Sequence, residues 1–333
     1  MDAVDVRGRF MWHQLLTRDV PGAKTFYSKL VGWKAQPWPL DPAYTVCQSG
    51  AGPTAGIFSI PPDMPAEVPA HWVGYIGTRD VDGTAAAAVR AGGSIVKGPE
   101  DVKGAGRYAV LKDPQGAVFA IMDPENARAE SMGHPELGTF SWHELASTDN
   151  EAAFAFYSSL FGWDAMMRMD MGPLGTYLIF GWNGQQRGGI YNKPPDMPAP
   201  PHWLPYAQHA NADEGAKTAE GGGAKILNGP MDVPGGSRIV AFMDPTGAAF
   251  AIVTTPAPAA AEKPKAAAKP KPAAKPKPAK KAAKKKAAKP KKKVAKKAAR
   301  KKVARKVARK AKKKSAPKKK SAAKKKGGAR RKK

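Results

Sequence analysis

The sequence predicts an α+β protein: two tandem copies of one domain, each made of two strand–helix–three-strand (βαβββ) units, followed by a disordered polycationic tail. Three observations predict this. Motifs recur along the chain at a nearly constant spacing of 130 to 133 residues. Within each copy, strand and helix periodicities alternate in one order. Past residue 255 aromatic residues vanish, and Lys, Ala and Pro take over. The boundaries read as 1–127, 128–255 and 256–333.

The repeat is visible without alignment to any other chain. Phe10-Met11-Trp12-His13-Gln14-Leu15 returns as Phe140-Ser141-Trp142-His143-Glu144-Leu145. Phe26-Tyr27 with Gly32-Trp33 returns as Phe156-Tyr157 with Gly162-Trp163. Pro61-Pro62-Asp63-Met64 and His71-Trp72 match Pro194-Pro195-Asp196-Met197 and His202-Trp203. Gly98-Pro99 recurs as Gly229-Pro230, and Asp113-Pro114-Gln115-Gly116 as Asp244-Pro245-Thr246-Gly247.

The elements follow in order. Residues 10–16 read as a strand, after which Asp19 caps a helix. Pro21 lies in that helix's first turn, where a missing N–H costs nothing, and Phe26, Tyr27, Leu30 and Val31 form its apolar stripe. In the second copy Thr148-x-x-Glu151 reads as a capping box ahead of Phe154, Tyr157, Leu160 and Phe161. Strand-like runs cover 44–48 and 55–60, and a Pro-rich loop over 61–69 precedes a strand at 71–78. A helix from Asp82 to Arg90 ends at Gly92-Gly93. Strands near 94–97, 106–112 and 117–122 complete the copy, the last two joined by the Asp-Pro-x-Gly turn.

This order, with the Phe-Tyr helix, the Gly-Gly helix end and the Asp-Pro-x-Gly-x-x-Phe-x-Ile ending, resembles the vicinal oxygen chelate superfamily. Glyoxalase I, the bleomycin-resistance proteins and the extradiol dioxygenases belong to it. The resemblance covers roughly 10–123 and 140–253 and implies that paired units curl their sheets into a cup, with helices outside and a ligand cavity inside. The family's metal enzymes carry a His on the first strand, a His on the first strand of the second unit and a Glu on the last strand. The matching positions here are Trp12, Val73 and Ala120 in one copy and Trp142, Leu204 and Ala251 in the other. None of these side chains ligates a divalent cation, so no metal or other cofactor is expected.

Strand alternation puts Trp12, Gln14, Val73 and Tyr75 on the lining of one cup and Trp142, Glu144, Leu204 and Tyr206 on the other, with His71 and His202 at the rims. The candidate ligand-binding residues are therefore Trp12, Gln14, His71, Tyr75, Trp142, Glu144, His202 and Tyr206. Apolar walls with few polar groups suit a flat or aromatic organic ligand, or else these large side chains fill the cups themselves. Glu144, where the first copy has Gln14, is a candidate general base. His13 and His143 fall on the opposite strand face, toward the covering helices, as hydrogen-bonded packing residues. Arg79, Arg107, Arg187 and Arg238 read as surface groups or ion-pair partners. Function for the folded part divides between a metal-free small-molecule binder, a lyase, isomerase or dioxygenase using an atypical metal site or Glu144, and a module for protein contacts.

Charge separates the tail from the rest. The formal net charge is +29, but 37 of the 56 Lys and Arg residues lie beyond residue 261 against the single acid Glu262, leaving residues 1–261 at a net −7. A segment so poor in apolar residues cannot offset its ordering entropy, so the tail is expected to be disordered alone. Its Ala-Lys-Pro repeats resemble the tails of linker histones and bacterial histone-like proteins. Dense Lys without aromatic residues implies counterion release and no base readout, hence non-specific DNA, with RNA and other polyanions as the alternatives. The expected contacts are Lys284, Lys285, Lys286, Lys291, Lys292, Lys293, Arg300, Arg305, Arg309, Lys312, Lys313 and Lys314. A lone cysteine, Cys47, fits a reducing compartment. With no signal peptide and no membrane-length apolar run, the expected location is cytoplasmic and nucleoid-associated, with no membrane partner.

Overall fold

The computed structural model describes residues 4–127 and 134–256. The expected nucleic-acid contacts between Lys284 and Lys314 lie outside the described residues. The first copy runs β1 (Phe10–Thr17), α1 (Val20–Val31), β2 (Lys34–Trp38), β3 (Asp41–Ser49), β4 (Gly52–Ser59), β5 (His71–Gly77), α2 (Val81–Arg90), β6 (Ser94–Val102), β7 (Gly106–Lys112) and β8 (Val118–Pro124). The second runs β9 (Phe140–Ser147), α3 (Asn150–Phe161), β10 (Asp164–Asp170), β11 (Thr176–Trp182), β12 (Gln185–Asn192), β13 (His202–Gln208), α4 (Ala212–Gly221), β14 (Lys225–Asp232), β15 (Arg238–Met243) and β16 (Ala249–Thr254). Among the described residues no helix is long and apolar enough to cross a membrane.

Each copy forms one eight-stranded mixed sheet, ordered β2-β3-β4-β1-β5-β8-β7-β6 in the first and β10-β11-β12-β9-β13-β16-β15-β14 in the second. The first strands of the two units, β1 and β5, pair antiparallel at the sheet centre, and each is flanked by the last strand of its own unit in parallel. The edge strand β2, with Pro37 interrupting its alternation, left no readable signal in the sequence.

The helix caps refine the sequence reading. Asp149, not Thr148, caps α3: its carboxylate accepts the Ala152 N–H at 3.0 Å, as Asp19 accepts that of Gly22 at 2.9 Å in α1. A carboxylate one residue later outcompetes the hydroxyl for the exposed N–H groups. Glu151 instead pairs with Arg168 at 2.9 Å. Likewise α2 opens one residue earlier than expected, capped by Asp80 through the Gly83 N–H.

The helices lie outside the cups but not at the periphery of the protein. Helix α1 packs on α4 and α2 on α3, so all four are enclosed between the two sheets. One core joins Val81, Ala85 and Phe119 of the first copy to Phe156, Tyr157 and Trp163 of the second; the other joins Phe26, Tyr27 and Trp33 to Ala216, Phe242 and Phe250. Burying both copies' helix faces against each other removes from water the apolar stripes that each would otherwise expose.

The repeated motifs meet across this interface. Trp72 donates its indole N–H to the Tyr27 hydroxyl at 3.0 Å, and Tyr27 donates to Asp244 Oδ2 at 2.7 Å. The mirror relay runs from Trp203 to Tyr157 at 3.0 Å and on to Asp113 Oδ2 at 3.0 Å. Each Asp spends its other oxygen on its own Asp-Pro-x-Gly turn, Asp113 Oδ1 accepting the Gly116 and Ala117 N–H groups at 2.7 and 2.8 Å. Trp33 and Trp163 reach the carbonyls of Gly138 and Gly8 at 2.8 and 2.9 Å.

His13 and His143 also meet here. They face each other rather than the helices, with 2.7 Å between their Nε2 atoms. Phe140 stacks on His13 at 3.7 Å and Phe10 on His143 at 3.6 Å. Such a pair shares one proton; a second would set two N–H groups against each other. Burial lowers both, that of His143 to about 3, and the neighbouring His143 lowers His13 further. Both folded values lie below the unfolded one, so the stabilisation is present above the unfolded value and falls away with pH below it. Each His then costs about 1.4 kcal/mol per pH unit as the unfolded chain takes up protons that the folded chain refuses. Urea unfolding between about pH 6.5 and 4 is expected to lose stability more steeply in the wild type than in a His13→Phe/His143→Phe variant; parallel slopes would contradict the buried pair.

Candidate functional site

The concave face of each sheet carries a polar cluster in an apolar setting. In the first copy Trp12, Val73, Tyr75 and Ala120 pack together with Leu16, Tyr108 and Val110; in the second, Trp142, Leu204, Tyr206 and Ala251 pack with Ala241 and Ile239. The registers Gln14↔Val73 and Trp12↔Tyr75, with Leu204↔Glu144 and Tyr206↔Trp142, place these side chains on one face of adjacent strands. The positions that carry the family's metal ligands are thus brought together as the resemblance implies. They present indole, aliphatic and methyl groups, which offer a divalent ion nothing to bind. Among the described residues no three His, Cys, Asp or Glu side chains converge to hold a metal. The residues present do not fit the metal of the family's enzymes.

At the floor of the second cup Glu144 accepts from two phenols, Tyr177 to Oε1 at 2.7 Å and Tyr206 to Oε2 at 2.8 Å. Trp142 donates to the Tyr177 hydroxyl at 3.1 Å. Burial pushes the Glu144 carboxyl above the usual range, and the two phenol donors partly offset that. Tyr177 and Tyr206 are raised well above theirs, first by burial and then by the facing carboxylate. The first cup repeats the pattern without charge. Gln14 Oε1 accepts from Tyr75 at 2.9 Å and from Tyr44 at 3.4 Å, and Trp12 donates to Tyr44 at 2.8 Å. Trp12, Gln14 and Tyr44, like Trp142, Glu144 and Tyr177, each keep part of their surface accessible.

Sequence reasoning missed Tyr44 and Tyr177. They sit on β3 and β11, two strands away from the residues they contact, and reach them only because a glycine intervenes. A Cβ on Gly56 would lie 1.8 Å from the Tyr44 hydroxyl, and one on Gly189 2.0 Å from that of Tyr177. The readable signal was the recurrence of Tyr44 as Tyr177 and of Gly56-Ile57 as Gly189-Ile190, at an offset of 133 in line with the motif spacing.

The remaining candidates sit elsewhere. His71 and His202 open β5 and β13 at the rims, their Nδ1 atoms bound to the carbonyls of Pro69 and Pro200 at 2.9 and 2.8 Å. Arg79 pairs with Asp123, Arg107 with Asp82 and Asp101, and Arg238 with Asp213 and Asp232. Arg187 lies over the Trp182 ring at 5.0 Å. An open groove of about 730 Å³ between Arg79, Lys103 and Glu125 lies among such charges rather than in a cup.

Comparison with known proteins agrees with this fold. The model of the Glyoxalase/Bleomycin resistance protein/Dioxygenase superfamily matches residues 9–121 and 139–252. The chain is 30% identical over 250 residues to the Mycobacterium tuberculosis protein named "Putative glyoxylase CFP32", covering 74% of this chain and 94% of that one. It is 31% identical over 258 residues to the anthracycline biosynthesis protein DnrV of Streptomyces peucetius, covering 73% and 91%. The Mn(II)-bound glyoxalase of Novosphingobium aromaticivorans shares the fold, with a TM-score of 0.55 at 17% identity over 74% of this chain and 82% of that one.

The glycine beneath Tyr177 generates a prediction. Gly189→Ala should displace the Tyr177 ring from Glu144 while the folded protein persists, and a crystal structure of the variant checks it. An unmoved Tyr177–Glu144 hydrogen bond would show that the glycine does not set the cup's geometry.

Proposed function

The chain belongs to the Glyoxalase/Bleomycin resistance protein/Dioxygenase superfamily, and from that membership we propose that it binds a small, flat organic ligand in its cups without a metal ion and is held non-specifically on DNA by its basic tail. One observation carries the ligand half. The positions of the family's ion-binding side chains carry Trp142, Leu204 and Ala251, and beside them Trp142, Tyr177 and Tyr206 are arranged around Glu144. Aromatic faces supply the apolar contact area for a planar ring system, and the carboxylate supplies an oriented acceptor for a ligand hydroxyl. DnrV, named for anthracycline biosynthesis, makes a hydroxylated polycyclic aromatic a reasoned choice of probe. Glu144 also provides a group able to take a proton from such a ligand. The alternative of a lyase or dioxygenase with an atypical metal site has no supporting side-chain cluster among the described residues.

Composition supports the tail half: the acidic folded part would by itself be repelled by phosphate, and only the polycation reverses that. Counterion release makes such binding steeply salt-dependent and indifferent to sequence.

Both halves predict a measurement. Titration of the full chain with 1,8-dihydroxyanthraquinone, followed by tryptophan quenching, should give saturable binding that Glu144→Gln weakens about tenfold, the loss of one hydrogen bond to a charged acceptor. Equal affinity in the variant would remove Glu144 from the site. Deleting residues 256–333 should abolish duplex-DNA binding at about 0.15 M salt. Retained affinity would place DNA contacts on the folded part.

A further inference from the structure

The two cups share a scaffold but differ in which hydrogen-bonding groups they leave free. In the first, both phenols converge on Gln14 Oε1. Its amide NH2 makes no hydrogen bond among the described residues, so two N–H donors remain for a ligand. In the second, Glu144 has no N–H to offer; each of its oxygens takes one phenol and keeps further lone-pair capacity. The surroundings of the two cups also differ. The wall of the first cup holds Tyr108, whose ring lies 6.0 Å from that of Tyr75 and whose hydroxyl is bound by Lys97 at 2.7 Å and by Glu100. Lys97 and Glu100 also pair with each other at 2.8 Å, and the repeat puts Ile239, Asn228 and Met231 at those three positions in the second copy, where no side chain is charged.

We infer that the cups take ligands of opposite character: the first an aromatic carboxylate, held by the free Gln14 amide, and the second an aromatic hydroxyl, held by Glu144. This rests on the reading of the cups as ligand sites and adds which chemistry each selects. Selection comes chiefly from rejection. A ligand carboxylate in the second cup would face Glu144 where little water screens the repulsion. The same carboxylate in the first cup meets a neutral amide with donors to spare.

The test is calorimetric titration of the full chain with 1-naphthoate and with 1-naphthol, in wild type, Gln14→Glu and Glu144→Gln. The tail is common to all three proteins, so differences between them report on the cups. Wild type should bind one naphthoate and Gln14→Glu none. Glu144→Gln, which gives the second cup the amide of the first, should bind two. Naphthol binding should weaken about tenfold in Glu144→Gln, a change of one hydrogen bond to a charged group, and persist in Gln14→Glu. Naphthoate stoichiometry that is the same in all three proteins, or lost in Glu144→Gln, would overturn the inference while leaving the cups as binding sites. Absence of binding by either probe would overturn the cups as ligand sites altogether. The gain expected in Glu144→Gln keeps the test decisive even if Gln14→Glu fails to fold.

Discussion

The fold depends on a reciprocal constraint: each copy's Asp-Pro-x-Gly turn is completed by a tyrosine from the other copy. Asp113 and Asp244 are almost fully buried, and a buried carboxylate needs partners. Backbone N–H groups of the turn satisfy one oxygen, and the phenol of Tyr157 or Tyr27 satisfies the other. Those tyrosines are themselves fixed by Trp203 and Trp72. Neither copy can meet this requirement alone. The helix faces are consequently drawn between the sheets, and both concave faces point away from the interface.

That constraint explains why several of the most visible sequence motifs serve the interface and not the cups. Phe-Tyr, Gly-Trp, His-Trp and Asp-Pro-x-Gly recur because a two-fold interface needs each element twice. They made the duplication and the order of elements legible from periodicity and repetition, while the cup was what the family resemblance implied. Their partners were not legible, since nothing in the linear order of Tyr27 and Asp244 says that they touch. His13 shows the same limit: alternation put it opposite the cup, but its partner is the equivalent residue of the other copy.

The cups were legible in outline. Counting along the strands placed Trp12, Gln14 and Tyr75 together, and Trp142, Glu144 and Tyr206 together, and the hydrogen bonds join each set. Tyr44 and Tyr177 escaped because a side chain that reaches across an intervening strand obeys no two-residue period. Only the glycine that makes room for it leaves a mark in the sequence. The floor of each cup is an amide or a carboxylate ringed by phenols, and the exchange of Gln14 for Glu144 is the chief difference between the two floors.

On the proposed reading, recognition in the cups is carried by side chains alone and attachment by the tail, two jobs with opposite charge requirements placed in separate parts of one chain. The most direct test of this account is elemental analysis of the full chain purified without a histidine tag, repeated with ligand bound. The account predicts far less than one transition-metal ion per chain, and ligand affinity unchanged by a chelator. A tightly held stoichiometric ion, with binding lost on its removal, would contradict it.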